Sequence, residues 1–283
     1  MVILGIIPKT MPQIHSTAIL EGDISLADDV VIGPHCVLQG EITIGTGTTI
    51  IGNAYLTGKL VLGERNTVYP FACIGFASQD INYPPDQYEP GIVIGDDNTF
   101  REGVTVHRAT QDVPSTIGNS NFFMTTSHVG HDCQVGNHVT LVTDAAIGGH
   151  VHIQDKALIG GASSVHQFVT IGKGAMLAGN TITTYDVLPY FLLTGYNIVG
   201  SVNIVGMRRS GMDSKEITQR KDIFKLLYRS DHSHNAAIEL LKKQNDPIAL
   251  EYVEAIESSR RGIVPPAHAK RNARRGTSVE AQT

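Results

Sequence analysis

An apolar side chain returns every sixth residue between Ile14 and Leu177 of this 283-residue chain. The series Ile14, Leu20, Leu26, Ile32, Leu38, Ile44, Ile50, Leu56, Leu62, Val68 and Ile74 runs unbroken. It resumes at Ile94, Phe100 and Val106. It then runs from Ile117 through Phe123, Val129, Val135, Leu141, Ile147, Ile153, Ile159, Val165 and Ile171 to Leu177. A helix repeats every ~3.6 residues and a strand every ~2, so neither alone explains this beat. It is the period of a hexapeptide β-helix, in which each hexad supplies a short strand and a corner. Three hexads close a coil of about 18 residues, and stacked coils pair as parallel strands about 4.8 Å apart.

The marker residue is expected to point inward. Glycine often follows it, as at Gly33, Gly45, Gly63, Gly75, Gly95, Gly118, Gly136, Gly160 and Gly172. Those glycines read as corner residues that tolerate strained backbone. The fifth hexad position is small or β-branched at Cys36, Thr48, Ala54, Ala72, Cys133, Val139 and Ala145, which fits a second, tighter inward site. Two excursions interrupt the beat, over about residues 76–93 and 112–116. The first carries Gln79-Asp80-Ile81-Asn82-Tyr83-Pro84-Pro85 and reads as a substrate loop.

The repeats are expected to occupy 14–190, after an N-terminal extension over 1–13. A C-terminal segment, 191–262, holds a small α-helical domain. Its first helix covers 213–229, with Asp213 and Glu216 as a capping box and Ile217, Phe224, Leu227 and Tyr228 on one face. A second lies near 234–244. A third has Asp246 as N-cap and Pro247 in its first turn, and stops before Gly262. Residues 263–283 lack apolar periodicity and read as a disordered tail.

No run approaches the ~20 apolar residues that span a bilayer, so no stable membrane insertion is expected. Three cysteines without framework spacing suggest reduced thiols and a cytoplasmic protein. Charge is uneven. Residues 1–206 carry 7 Lys and Arg against 17 Asp and Glu, whereas 207–283 carry 15 against 10. A basic section on an acidic body suits an acidic partner rather than nucleic acid.

Histidines are concentrated. Hexads starting at 106, 129, 147 and 165 fall on one face if the second excursion bulges out at a corner. His107, His131, His150 and His166 would then share a strip, with His128 at its edge. A neutral histidine can take a proton from an alcohol or amine near neutral pH. Asp132 follows His131 and could fix its tautomer, provided a corner turns the two side chains together. Gly149 could present a backbone N–H to an acyl carbonyl, or serve only as a corner. A zinc site like that of prismatic carbonic anhydrases is a further reading, but those use a His-x4-His pair and this chain has His128-x2-His131. No metal ligand is therefore assigned. Cys133 occupies an inward position and reads as core.

Several segments carry a family resemblance: Phe100-Arg-Glu-Gly-Val-Thr-Val-His107-Arg108, Ser127-His128-Val-Gly-His131-Asp132-Cys133, Gly148-Gly149-His150-Val151 and Val165-His166-Gln167-Phe168. Gln79-Asp80, Asp186-Val-x-Pro189-Tyr190 and Val202-Asn203-Ile204-x-Gly206-Met207-Arg208-Arg209 add to it. Over about residues 13–262 the chain resembles the acyl-[acyl-carrier-protein]–UDP-N-acetylglucosamine O-acyltransferases of lipid A biosynthesis. The resemblance implies a mostly β fold, a left-handed parallel β-helix followed by the helical domain. Handedness comes from the resemblance alone, since parallel crossovers are normally right-handed. It implies a homotrimer that takes an (R)-3-hydroxyacyl chain from acyl carrier protein to the 3-hydroxyl of a UDP-sugar, without a cofactor.

On matching positions, His131 would be the general base, Asp132 its assistant and Gly149 the oxyanion donor. Gln79, Asp80, His128 and His150 would hold sugar and acyl groups. His166, Gln167, Asn203 and Arg209 would contact the nucleotide side, and His107 and Arg208 would line the wider cleft. Met176 and Gly179 would set acyl length. Three positions differ from the family pattern: Asn82 in place of lysine, Val205 in place of glutamate, and Ser210 in place of a second arginine. N-acylation of a 3-amino sugar is the nearest alternative chemistry, and a non-catalytic β-helix scaffold gives no reason for the histidines.

Overall fold

The computed structural model describes residues 11–84 and 90–266. The extension over 1–10, Pro85 of the first excursion and the tail from 267 lie outside the described residues. The chain divides into two compact units, Met1–Asp144 and Ala145–Thr283, so the division falls within the repeats rather than at their end.

In the first unit, parallel strands step upward one coil at a time. Gln13 pairs with Val31, Val31 with Thr49 and Thr49 with Thr67. The regular step is 18 residues, lengthening to 32 across the first excursion and 23 across the second. These steps locate the inserted chain between Ile74 and Ile92 and between Val106 and Ser115. Ser115 and Thr116, expected within the second excursion, instead begin the strand Ser115–Ile117. The markers from Ile32 to Leu141 are all at most 3% exposed, and Phe100 stacks on Phe123 with ring centroids 4.9 Å apart. Among the described residues of this unit, the first coil is the open one, with Ile14 45% exposed.

The corner chemistry differs from the sequence expectation. Gly33 and Gly45, which follow markers, do not adopt left-handed backbone. They are glycine because the next coil is too close: a Cβ on Gly33 would sit 1.9 Å from the Ile51 carbonyl oxygen. The left-handed corner falls three residues after the marker and is mostly not glycine. His35, Asn53, Arg65, Phe71, Asp97, Ser120, Thr126, Asp132, His138 and Asp144 hold it in the first unit. On one edge the chain instead turns without breaking its strand. Ile19–Leu26, Val37–Ile44 and Tyr55–Leu62 each span two hexads, bending at the registered Gly22, Gly40 and Gly58, whose φ values are 102°, 128° and 78°.

A file of polar residues runs through this core. The Thr48 hydroxyl accepts the Asn66 amide, Asn66 Oδ1 accepts the Asn98 amide, and Asn98 Oδ1 accepts the Asn121 amide. All four residues are at most 2% exposed, so each bond satisfies a group that burial would otherwise penalise.

The second unit is built of rungs of the same kind, with Ala146 on Ser164, His152 on Thr170 and Leu158 on Met176. Past residue 190 the sheet does not stop. Phe191–Gly195 pairs parallel with Met176–Leu177 and then folds back as an antiparallel hairpin with Ile198–Val202. Four helices follow: α1 (Ile204–Arg209), α2 (Ser214–Tyr228), α3 (His234–Gln244) and α4 (Pro247–Glu257). The Asp213–Glu216 capping box and the Asp246 N-cap form as expected. Phe191 is the anchor, with Phe224, Tyr228 and Tyr252 ring centroids 5.5–5.6 Å away. The start of the expected tail is ordered: Val264 is fully buried and its carbonyl accepts the Tyr228 hydroxyl at 2.6 Å. Its hydrogen-bond partners, Tyr228 of α2 and Asp186, are distant in sequence, which no local periodicity could signal. Among the described residues, no helix is long and apolar enough to cross a membrane.

Gly33→Ala should therefore lower stability by about 1–3 kcal/mol through overpacking. Gly179→Ala, whose Cβ would meet only the Gly161 oxygen at 3.5 Å, should change it by less than about 0.5 kcal/mol. Comparing urea midpoints of the two variants checks this; equal midpoints would contradict the close-approach account.

Candidate active site

Two corner effects assemble the first cluster, which lies within the first unit. On a flat strand, His131 and Asp132 would face opposite ways. Asp132 sits at the left-handed corner position with φ 58°, a conformation Asp tolerates better than most residues. Its carboxylate swings back, so Oδ2 lies 2.6 Å from His131 Nδ1. The second excursion then closes on the carboxylate. The Thr110 hydroxyl donates to Oδ2 at 2.7 Å, and the Thr110 and Gln111 amides donate to Oδ1 at 2.9 and 3.0 Å. The Asp132 amide donates to Ser115 Oγ at 2.9 Å.

Burial raises the Asp132 pKa, but the bonds from His131, Thr110 and Gln111 outweigh it and hold the carboxyl at about 2. An ionised carboxylate only accepts hydrogen bonds. His131 Nδ1 must then carry the proton, which makes Nε2 the basic nitrogen.

Two further imidazoles stand nearby. His107 and His128 meet edge to face, with centroids 5.3 Å apart. His107 Nδ1 lies 2.6 Å from the Ala77 carbonyl oxygen, which ties the first excursion to the strand Thr105–His107. His128 Nδ1 shares a 2.8 Å hydrogen bond with the Thr105 hydroxyl. Burial, reinforced by the charges His107 and His131 would carry, pulls His128 down to about 4. Burial likewise lowers His107, against the opposing Ala77 carbonyl. In the first excursion, Asp80 Oδ1 accepts both the Asn82 backbone and side-chain amides at 2.9 Å. Asn82, the departure from the lysine of the family pattern, thus turns the loop around Asp80. Gln79 is exposed beside it.

The second unit holds the other predicted residues. His150 and Phe168 occupy left-handed corners of successive coils, and their rings stack at 4.5 Å with an 8° interplanar angle. Gly149 lies in the buried turn before His150, and its carbonyl accepts the Phe168 amide at 3.1 Å. His166 and Gln167 are exposed on the adjacent rung, Met176 is half-buried in its strand, and Gly179 is exposed with room for a side chain. Asn203 stands at the start of α1. It is 8% exposed and caps α1, its Oδ1 accepting the Gly206 amide while Nδ2 donates to the Gly174 carbonyl. Two of its hydrogen bonds thus serve the fold. Arg208 and Arg209 lie exposed in the last turn of α1, and Val205 is 57% exposed in its first turn.

Sequence reasoning missed Thr105, Thr110, Ser115 and Phe168. Threonine and serine are common in β-helix rungs, so only the coil-to-coil alignment reveals that these four meet titratable or aromatic partners.

Comparison with known proteins then bears on the site. Residues 186–264 match the family model described as "Udp N-acetylglucosamine O-acyltransferase; Domain 2". The chain is 41% identical over 263 residues to an acyl-[acyl-carrier-protein]–UDP-N-acetylglucosamine O-acyltransferase of Paraburkholderia phymatum, covering 90% of this chain and 100% of that one. A protein of the same description from Ectopseudomonas mendocina is 41% identical over 258 residues, covering 89% of this chain and 99% of that one. Among solved structures, the UDP-N-acetylglucosamine acyltransferase of Francisella novicida aligns with a TM-score of 0.87 at 32% identity, covering 91% of this chain and 96% of that one. The fold class, a left-handed parallel β-helix followed by α-helices, is common to these structures and this chain.

The imidazoles make stability depend on pH. His128 titrates near 4 when folded, against 6.5 ordinarily, so between these values the unfolded chain binds more protons. Stability should therefore fall as pH drops from 6.5 towards 4. The Asp132 contribution persists above its ordinary 3.8 and is lost only as pH falls towards 2. His128→Gln should flatten the urea midpoint across pH 6.5 to 4 (a slope as steep as the unsubstituted protein's would contradict this).

Proposed function

Because the chain belongs to the acyl-[acyl-carrier-protein]–UDP-N-acetylglucosamine O-acyltransferase family and is an enzyme of that kind, we propose that it transfers an (R)-3-hydroxyacyl group from acyl carrier protein to the 3-hydroxyl of UDP-N-acetylglucosamine, with His131 as general base. The reaction opens lipid A biosynthesis. The observation that carries the assignment is the 2.6 Å contact between His131 Nδ1 and an Asp132 carboxylate held ionised by three further donors.

That geometry supports the following steps. With Nδ1–H directed at Asp132, His131 Nε2 accepts the proton of the sugar hydroxyl as the oxygen attacks the thioester carbonyl. Asp132 stabilises the imidazolium without taking the proton. The tetrahedral oxyanion is assigned to the Gly149 N–H. Its collapse breaks the carbon–sulfur bond, and the imidazolium returns the proton to the departing carrier thiolate. No cofactor enters, because the thioester is already activated. His128, kept neutral by burial, suits a hydrogen-bonding rather than an ionic role toward the acceptor, and His107 shares its environment.

Gln79, Asp80 and His150 are assigned to the sugar and acyl groups. His166, Gln167, Asn203 and Arg209 are assigned to the nucleotide side, Arg208 to the wider cleft, and Met176 and Gly179 to the acyl chain. The excess of basic residues after position 206 supports docking of the acidic carrier protein. The enzyme is assigned to the cytoplasm as a homotrimer, by its likeness to the family.

His131→Ala should lower kcat by about 10²–10⁴-fold while leaving the melting temperature near that of the parent. Near-normal turnover would remove His131 from the base role. Gly179→Met should move donor preference to shorter acyl chains in a panel of carrier thioesters, and an unchanged profile would place the acyl chain elsewhere.

A further inference from the structure

We propose that Thr110 is a positioning residue for the acyl transfer, and that the second excursion from the hexapeptide beat exists to clamp Asp132. The inference rests on the general-base reading of His131. The excursion lengthens the coil step from 18 to 23 residues and places Thr110 and Gln111 over the Asp132 corner.

The two carboxylate oxygens are divided between tasks. Oδ1 takes the Thr110 and Gln111 backbone amides, which any residue type could supply. Oδ2 takes the Thr110 hydroxyl at 2.7 Å and His131 Nδ1 at 2.6 Å. The hydroxyl is only 6% exposed as part of Thr110, and Gln111 Nε2 donates to its oxygen at 3.3 Å. With its oxygen accepting from Gln111, the single hydroxyl proton is left for Oδ2. A carboxylate torsion is broad and nearly two-fold. A fixed donor on Oδ2 therefore restricts where the remaining lone pair points, and that lone pair aligns the imidazole. Ser115, 2% exposed, holds the same corner from the backbone side by accepting the Asp132 amide. Thr110 acts on the acceptor only through Asp132 and His131.

Thr110→Val keeps the shape and both backbone amides while removing the hydroxyl. With the full-length enzyme, UDP-N-acetylglucosamine and acyl carrier protein thioester, it should lower kcat about tenfold, as expected for one bond to a charged group. The KM for the sugar nucleotide should stay unchanged, and Thr110→Ser should restore most of the loss. In an Asp132→Ala background, Thr110→Val should cost nothing further, because its target is gone. A parental kcat in Thr110→Val, a change confined to KM, or a loss that multiplies in full with Asp132→Ala would overturn the proposal. Proton NMR separates this from the base assignment. The downfield Nδ1–H resonance of His131 should shift in Thr110→Val and return in Thr110→Ser, and an unmoved resonance would overturn the clamp. Full activity of His131→Ala would instead sink the base reading while the resonance still tests the clamp.

Discussion

The hydrogen-bonded step from one coil to the next is the constraint on which each unit depends. An amide in one coil donates to the carbonyl above it, as Gln13 to Val30, Val31 to Thr48 and Thr49 to Asn66. The bonds stack equivalent positions directly over one another, about 4.8 Å apart. Once that holds, side chains of one type can only form files. Aliphatic residues make the inner files, Phe100 lies on Phe123, and small residues such as Cys36, Ala54 and Ala72 fill the tight inner position. The same spacing excludes a Cβ at Gly33 and Gly45.

Chemistry enters where the stack is locally broken. A regular rung would send His131 and Asp132 to opposite faces. The left-handed corner brings them together, and the two excursions supply partners that the rungs lack. The first contributes the Ala77 carbonyl to His107. The second contributes Thr110 and Gln111 to Asp132, and Ser115, at the start of the strand that follows, accepts the Asp132 amide. The rigid coils fix the imidazoles, while the extruded chain engages His107 directly and His131 only through Asp132. Burial does the rest, keeping His128 neutral to a pH well below that of a free imidazole.

The rungs were legible because each hexad must bury one aliphatic side chain, a demand visible in any window of the sequence. The helices α2 to α4 were legible through their caps and apolar faces. The left-handed corners were not, because Asp, His, Asn, Arg, Lys, Ala and Phe all occupy them and share no chemical mark. The hairpin after residue 190 escaped notice because its strands follow neither the hexad beat nor a helical period. The capping role of Asn203 was hidden for a related reason: a capping asparagine and a ligand-binding asparagine look alike until Gly206 and Gly174 are seen to engage it. His131 and Asp132 were readable as a pair, whereas the partners of Asp132 come from 17 to 22 residues earlier and required the register to be known.

The buried file Thr48–Asn66–Asn98–Asn121 bridges both excursions, since Asn98 reaches back 32 residues to Asn66 and Asn121 reaches back 23 to Asn98. Aliphatic files are poor at telling one hexad from another: a coil slipped by a whole hexad would still present oil to oil. The carboxamides are not so permissive, because a slipped coil would strand their polar ends in the dry interior. Their hydrogen bonds therefore favour the observed register over a slipped one on both sides of loops of unequal length. That frees the loops to vary in size and composition while the scaffold beneath keeps its place.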